Sequence, residues 1–290
     1  MARSPVADPH GVCRGMLRPF EALAADTGAA FGPEMPDEVP RRLGSSILSP
    51  TPTRAALRRH FSGRLDPFTS AVLVFPLFLT YQIGILAGAQ GRNGADYISQ
   101  ALIRLCNRDL ITYLQLLVGM VAVYTLTLFW LRRRGRFHPR AFLPMLAESA
   151  FYGFFMGGVI QVVIVRADRL LPLLAVTQPG LADILVISTG AGFHEELVFR
   201  AIIMAGLLRL AALPFVPLGP LIGLVVALAV SSLLFSLVHH VGPAGEPFTT
   251  LAFTYRTLAG VIFGLIWHYR GFAVAAWTHA LYDLFVLSLG

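Results

Sequence analysis

The sequence of 290 residues contains no lysine, so all 23 of its basic residues are arginine. It has only two cysteines, Cys13 and Cys106, which form neither a disulfide framework nor the spacing of a metal site. Charged residues make up 13% of the chain, about half of the ~25% common in soluble domains. Several hydrolase signatures are missing as well. No HExxH occurs, because the position that would complete it after His194 is Val198, and this excludes the ordinary zinc-peptidase helix. No GxSxG elbow is present, and neither cysteine lies near the histidines of the apolar half. Serine and cysteine nucleophiles therefore have no support.

Apolar residues dominate instead, at 56% of the chain with a mean hydropathy of +0.67. Apolar runs lie near 67–90, 109–131, 142–165, 181–210, 220–240, 251–268 and 272–289. Most reach the ~18–20 residues a spanning helix needs. The expected fold is all-α: a polytopic integral membrane helix bundle of about seven spans, between about six and eight. The 181–210 run is long enough for one tilted helix or for a span with an interfacial piece. Residues 66–290 form the expected membrane domain, with the polar motifs concentrated in 181–289. Residues 1–65 are polar and rich in Pro, Gly and Arg, which predicts a mobile tail with a short helix near 53–61. They hold no apolar h-region, so no cleavable signal peptide is expected and the first span serves as the insertion signal.

The net charge is +7. Its arginines flank apolar runs, a pattern of membrane orientation and not of nucleic-acid binding. Arg132, Arg133, Arg134, Arg136 and Arg140 crowd one loop. Placing it in the cytoplasm puts the N-terminus there too, in what composition suggests is a bacterial cytoplasmic membrane. Arg92, Arg104, Arg108, Arg166, Arg169 and Arg256 then fall on the opposite side, and 97–108 reads as an amphipathic surface helix. The first three spans read as packing helices. Gly153, Gly157 and Gly158 share one side of the third and suit close helix approach. Glu148, near its start, reads as a carboxylate reaching to the interface. The sequence carries no signal of oligomeric state and no internal repeat.

Polar groups interrupt the apolar half at His194-Glu195-Glu196 with Arg200, at His239-His240, and at His279 with Asp283. Ionisable groups in a span are costly, so they are usually paired, inward-facing and functional. Glu196 and Arg200, four apart, share a helix face in the favourable order for an ion pair. Glu195 points about 100° away and is free for another task. His239 shares a face with Phe235 and can help a glutamate polarise water or bind a metal. His279 and Asp283 are again four apart. His279 can donate to a developing oxyanion; Asp283 can donate only if protonated, and if ionised it orients His279 or binds a metal. Each cluster also has a structural reading: a helix-joining ion pair, an interfacial histidine pair and a buried His–Asp bond.

In order and spacing, Glu195-Glu196-x-x-x-Arg200, Phe235-x-x-x-His239 and His279-x-x-x-Asp283 resemble the EExxxR, FxxxH and Hxxx(N/D) motifs of one family of intramembrane proteases. This is the CPBP family, also called the CAAX-protease and bacteriocin-processing or Abi family, and the resemblance covers roughly residues 181–289. It implies a membrane endopeptidase that acts on a peptide or membrane-protein substrate within the bilayer. Under that resemblance Glu195 and His239 activate the attacking water, His279 and Asp283 stabilise the oxyanion, and Glu196 and Arg200 support the geometry. Asp283 stands where some members carry the simpler donor Asn. Glu195, His239 and His279 can also be read as ligands of a divalent metal such as Zn²⁺, against a metal-free glutamate mechanism; the sequence leaves both open.

Two non-proteolytic readings compete: a proton-coupled carrier, which usually shows two related halves, and a scaffold or immunity factor that binds partner helices. One expectation fits the protease poorly. Strict alternation of spans makes His239 end one helix while His279 lies early in another that runs the same way. Eight residues into a helix is about 12 Å of rise, which separates the two histidines in depth.

Overall fold

The computed structural model describes residues 63–88, 109–164, 180–213, 219–242 and 245–289. The expected helices at 53–61 and 97–108, nearly all of the N-terminal tail, both cysteines and the arginines at 92, 104, 108, 166 and 169 lie outside those residues.

The seven apolar runs all appear as helix. They are α1 (Pro67–Leu86), α2 (Leu110–Arg132), α3 (Phe142–Ile164), α4 (Leu181–Gly190) with its continuation α5 (Ala205–Ala211), α6 (Pro220–Val238), α7 (Thr250–Arg270) and α8 (Phe272–Leu289). No strand occurs among the described residues. Among the described residues, five helices are long and apolar enough to cross a membrane: α1, α2, the stretch Pro139–Ile160 that includes most of α3, α6 and α7. Between α4 and α5 the chain stays helical but widens into π turns over Ala191–Glu195 and Leu197–Met204. The 181–210 run is thus a continuous helix with a wide middle, and that middle carries the two glutamates.

Helix starts follow from side-chain caps. The Asp66 carboxylate accepts from the Thr69 amide at 3.0 Å, and Thr249 accepts from the Ala252 amide at 3.1 Å. Asp109 caps α2, and the hydroxyl and amide of Thr112 hold its carboxyl below the usual carboxylate range.

The organising element is α8. Ala273, Val274, Ala275, Ala276 and Thr278 are fully buried on it. Helices in lipid gain little from burying apolar surface against one another, so they associate through close packing of small residues. α3 and α7 pack along α8, as do α1, α4 and the first π stretch. A Cβ on Gly192 would stand 2.5 Å from the Ala276 carbonyl oxygen, so glycine is required for the π stretch to lie against α8. The third-span glycines behave unequally. A Cβ at Gly153 would stand 3.1 Å from backbone atoms of α8, one at Gly157 would make ordinary contact with Tyr282, and one at Gly158 would meet nothing. A single residue, Gly271, with φ at +96°, turns the chain from α7 into α8.

The expectation for Glu148 is corrected. It does not reach to the interface but is buried and clamped by Arg270, whose Nε and Nη2 donate to its two oxygens at 2.6 and 3.1 Å. The Tyr152 hydroxyl adds a bond at 3.0 Å, and Arg270 Nη1 donates to the Gly63 carbonyl. A carboxylate held away from water needs this pairing. Ser149, the next residue, donates to the Val274 carbonyl. α3 is therefore tied to the α7–α8 corner and is more than a packing helix.

Glu148→Ala should destabilise the protein by up to about 3–5 kcal/mol, because the largely covered guanidinium of Arg270 loses its charge partner. Adding Arg270→Ala should recover part of that loss. Denaturant unfolding in detergent micelles measures both, and purely additive losses would refute the coupling.

Candidate functional site

The site is assembled from the middle of the wide-turn helix, the end of α6 and the first half of α8. Glu195, Glu196, Arg200, His239 and His279 are all buried. The widened turn brings successive side chains closer together in direction than the ~100° of an α-helix. Both glutamates consequently meet one imidazole. His279 Nδ1 lies 3.0 Å from Glu196 Oε1, and its Nε2 lies 3.8 Å from Glu195 Oε2.

Arg200 fixes this arrangement from behind. It is 0% exposed; its Nε is 3.3 Å from Glu196 Oε2, and its guanidinium lies 5.0 Å from the Phe235 ring centroid. Nη1 donates to Ser231 Oγ at 2.9 Å, and Ser231 Oγ donates to the Phe199 carbonyl of the π stretch at 2.8 Å. A cation beside one oxygen of Glu196 makes the other an acceptor, so His279 Nδ1–H donates to it.

His239 caps α6. The last carbonyls of a helix lack main-chain donors, and His239 Nδ1 donates to the Phe235 carbonyl at 2.8 Å. That bond sets the tautomer of the neutral ring and leaves the Nε2 lone pair free, 3.7 Å from Glu195 Oε2. The expected separation in depth is therefore overturned, since both histidines reach the same carboxylate oxygen. The physical reason is where α6 stops. It ends at Val238, and the chain after His239 folds back, with the Glu246 amide donating to the His239 carbonyl at 2.8 Å. The helix terminus sits among buried residues of the bundle, so alternating spans do not dictate the depth of His239.

Asp283 completes the group, with Oδ2 3.7 Å from His279 Nε2. Phe263 stacks on the His279 ring at 4.2 Å between centroids, and the Phe235 ring contacts both histidines. These apolar faces lower the local dielectric around the charged centre and strengthen its electrostatics.

The structure thus gathers Glu195, Glu196, Arg200, His239, His279 and Asp283. It leaves out two neighbours of the motif residues. His194 turns away, its Nδ1 donating to the Gly190 carbonyl and its ring against Tyr81. His240 lies against Phe248 and Phe253. Several residues at the site carry no motif. Ser231 and Phe263 look like ordinary apolar-helix residues and gave no sequence signal. Arg256, counted from the sequence only for membrane orientation, sits inside α7, where a charge in a span was itself a signal.

Glu195, His239 and His279, the residues of the metal reading, come together but do not form a compact ligand set. Among the described residues no group of three or more His, Cys, Asp or Glu side chains is arranged to hold an ion. Glu195 Oε2 stands 3.7 and 3.8 Å from the two histidine nitrogens, wider than the ~3.3 Å edge of a tetrahedron with zinc-ligand bonds of ~2.0–2.1 Å.

Fold and site together define a polytopic helical membrane protein with a buried carboxylate–imidazole centre. Residues 177–285 match the family model described as Rce1-like, Type II CAAX prenyl endopeptidase Rce1-like. That segment holds all three motifs, so over 177–285 the chain is similar to the CAAX-protease family that those motifs resemble. No curated protein and no solved structure matches the chain.

Arg200→Ala should cost about 3–5 kcal/mol by leaving Glu196 buried without its cation. Arg200→Ala combined with Glu196→Gln should be more stable than Arg200→Ala alone. Denaturant titration in micelles separates these outcomes, and a double variant no better than the single would refute the pairing.

Proposed function

We propose that the chain is an intramembrane endopeptidase that hydrolyses a peptide bond with a water activated by Glu195 and His239. One observation carries the reading: Glu195 Oε2 faces the Nε2 atoms of both His239 and His279, at 3.7 and 3.8 Å. These separations exceed a direct hydrogen bond, and the three atoms converge on one place where a reacting group can meet them all.

The attacking water bonds to Glu195 Oε2 and to the Nε2 lone pair of His239. Its oxygen adds to the carbonyl carbon of the substrate while its proton passes to the Glu195 carboxylate. The carbonyl electron pair moves onto oxygen. His279 stabilises that oxyanion from Nε2; because Nδ1 already donates to Glu196, it does so as the imidazolium. Asp283 acts next to it, as a protonated donor or by orienting the ring. Collapse of the tetrahedral intermediate breaks the C–N bond, and Glu195 returns the proton to the leaving amine. Glu196 and Arg200 hold His279 in place and touch no reacting atom in this scheme.

The substrate is a peptide segment, free or part of a membrane protein, presented unwound, since helical hydrogen bonds shield a scissile carbonyl. CAAX and prenyl, the terms in the family description, extend to this chain only as candidate substrate features. In this reading the mechanism runs on the protein's own acid and base groups.

Glu195→Gln and His239→Ala should each lower kcat for peptide cleavage by at least about 100-fold, the usual contribution of a positioned acid–base group. Circular dichroism should remain that of the wild type. Cleavage by the wild type in liposomes should survive a strong chelator. Full activity of either variant would exclude the proposed water activation, and loss of activity to chelator, restored by zinc, would favour the metal reading.

A further inference from the structure

Beside the catalytic group stands a cation that the mechanism above does not use. Arg256 lies in the second turn of α7, within an apolar helix. An arginine there is costly and calls for an anion. Its anion in this structure is Glu246 from the α6–α7 connection, with Arg256 Nη2 2.5 Å from Glu246 Oε1. The side chains differ in exposure: Arg256 is 20% exposed and Glu246 is 51%.

Glu246 is anchored through its backbone, not through its side chain. Its amide donates to the His239 carbonyl at 2.8 Å, and its own carbonyl accepts from His240 Nδ1 at 3.2 Å. One residue therefore joins the helix-capping histidine of the site to the guanidinium of Arg256. Arg256 is also within Coulombic reach of His239 and of Asp283. On the same side, the Tyr255 and Tyr282 hydroxyls are hydrogen-bonded, joining α7 to α8 next to Asp283. The cation thus stands at the edge of the catalytic group.

We infer that Arg256 is a specificity-determining residue that binds a carboxylate of the peptide substrate, and that the Glu246 carboxylate occupies its place until the peptide displaces it. The inference rests on the protease reading and adds a substrate class to it. A guanidinium suits a carboxylate because its planar fork offers paired donors. A half-exposed ion pair adds little to stability, so Glu246 can be exchanged at small cost. The shared ligand chemistry is the carboxylate group; its two sources are the C-terminus of a peptide and an acidic side chain near the scissile bond.

The test uses the full chain in liposomes and one cleaved peptide sequence made in three forms. The first carries a free C-terminal carboxylate and no acidic side chain. The second is amidated and carries one acidic side chain. The third is amidated and has neither. In the wild type, at least one carboxylate-bearing form should have a KM lower than the neutral form by on the order of tenfold to a hundredfold, as for a charged hydrogen bond. The form that responds identifies the source. Arg256→Gln should abolish that difference, and Arg256→Lys should restore part of it. Glu246→Gln should lower the KM of the responding form, because the internal competitor is gone.

A clamp that merely held the loop would behave differently, with Arg256→Gln and Glu246→Gln shifting KM in the same direction for all three peptides. That result, or equal KM values for the three peptides in the wild type, overturns this inference and leaves the protease reading standing. Cleavage of none of the peptides by the wild type overturns both.

Discussion

The structure depends on keeping Arg200 and Glu196 charged where no water reaches either. Both are 0% exposed. An isolated ion in such surroundings costs several kcal/mol, and mutual attraction offsets this only with good geometry and further bonds. Arg200 meets that condition in part, through the charge of Glu196, one bond to Ser231 and the face of Phe235, while its Nε and Nη2 make no hydrogen bond. Glu196 meets it through Arg200 and His279. The pair therefore draws three segments together: the π stretch, α6 and α8. Once His279 is held by Glu196, its remaining nitrogen has a fixed direction, toward Glu195 and Asp283.

The scaffold makes this geometry possible through two departures from regular helix packing. The wide turns at Ala191–Glu195 and Leu197–Met204 let adjacent glutamates serve one imidazole. Such turns give up regular helical hydrogen bonds and recur at functional sites. Small residues on α8, together with Gly192, let backbones approach closely enough for that imidazole to be reached. The bidentate Glu148–Arg270 pair ties α3 to the corner where α7 passes into α8. A helix secured in this way keeps His279 and Asp283 in register with the glutamates.

Much of the fold and the site was legible in sequence, for identifiable reasons. Lipid leaves backbone groups no partner but their own helix, so each apolar run of sufficient length became a helix. Charged residues in such runs are so costly that Glu195, Glu196, Arg200, His239, His279 and Asp283 stood out at once. Spacing of four aligned Glu196 with Arg200 and His279 with Asp283, and the side chains of both pairs meet in the structure, at 3.3 and 3.7 Å. What failed was inference about placement. Glu148 was read from its position near a helix start, but its partner Arg270 lies 122 residues away. His194 and Glu195 are neighbours in the chain, yet His194 packs on Tyr81 while Glu195 meets the two site histidines. Arg256 was counted only for membrane orientation, although it already lay inside the apolar run 251–268.

The sequence by itself determined that the chain is helical, that it belongs in a membrane, and which polar side chains must find one another there. Those outcomes follow from local spacing and from the cost of charge in apolar surroundings, both written in the order of residues. Only the tertiary structure decided that α6 stops short, so that His239 reaches the same oxygen as His279, and that Glu246 sits on Arg256. Helix ends, turn width and loop return are set by packing between distant segments, and no local pattern encodes a distance between residues that meet only when the bundle closes.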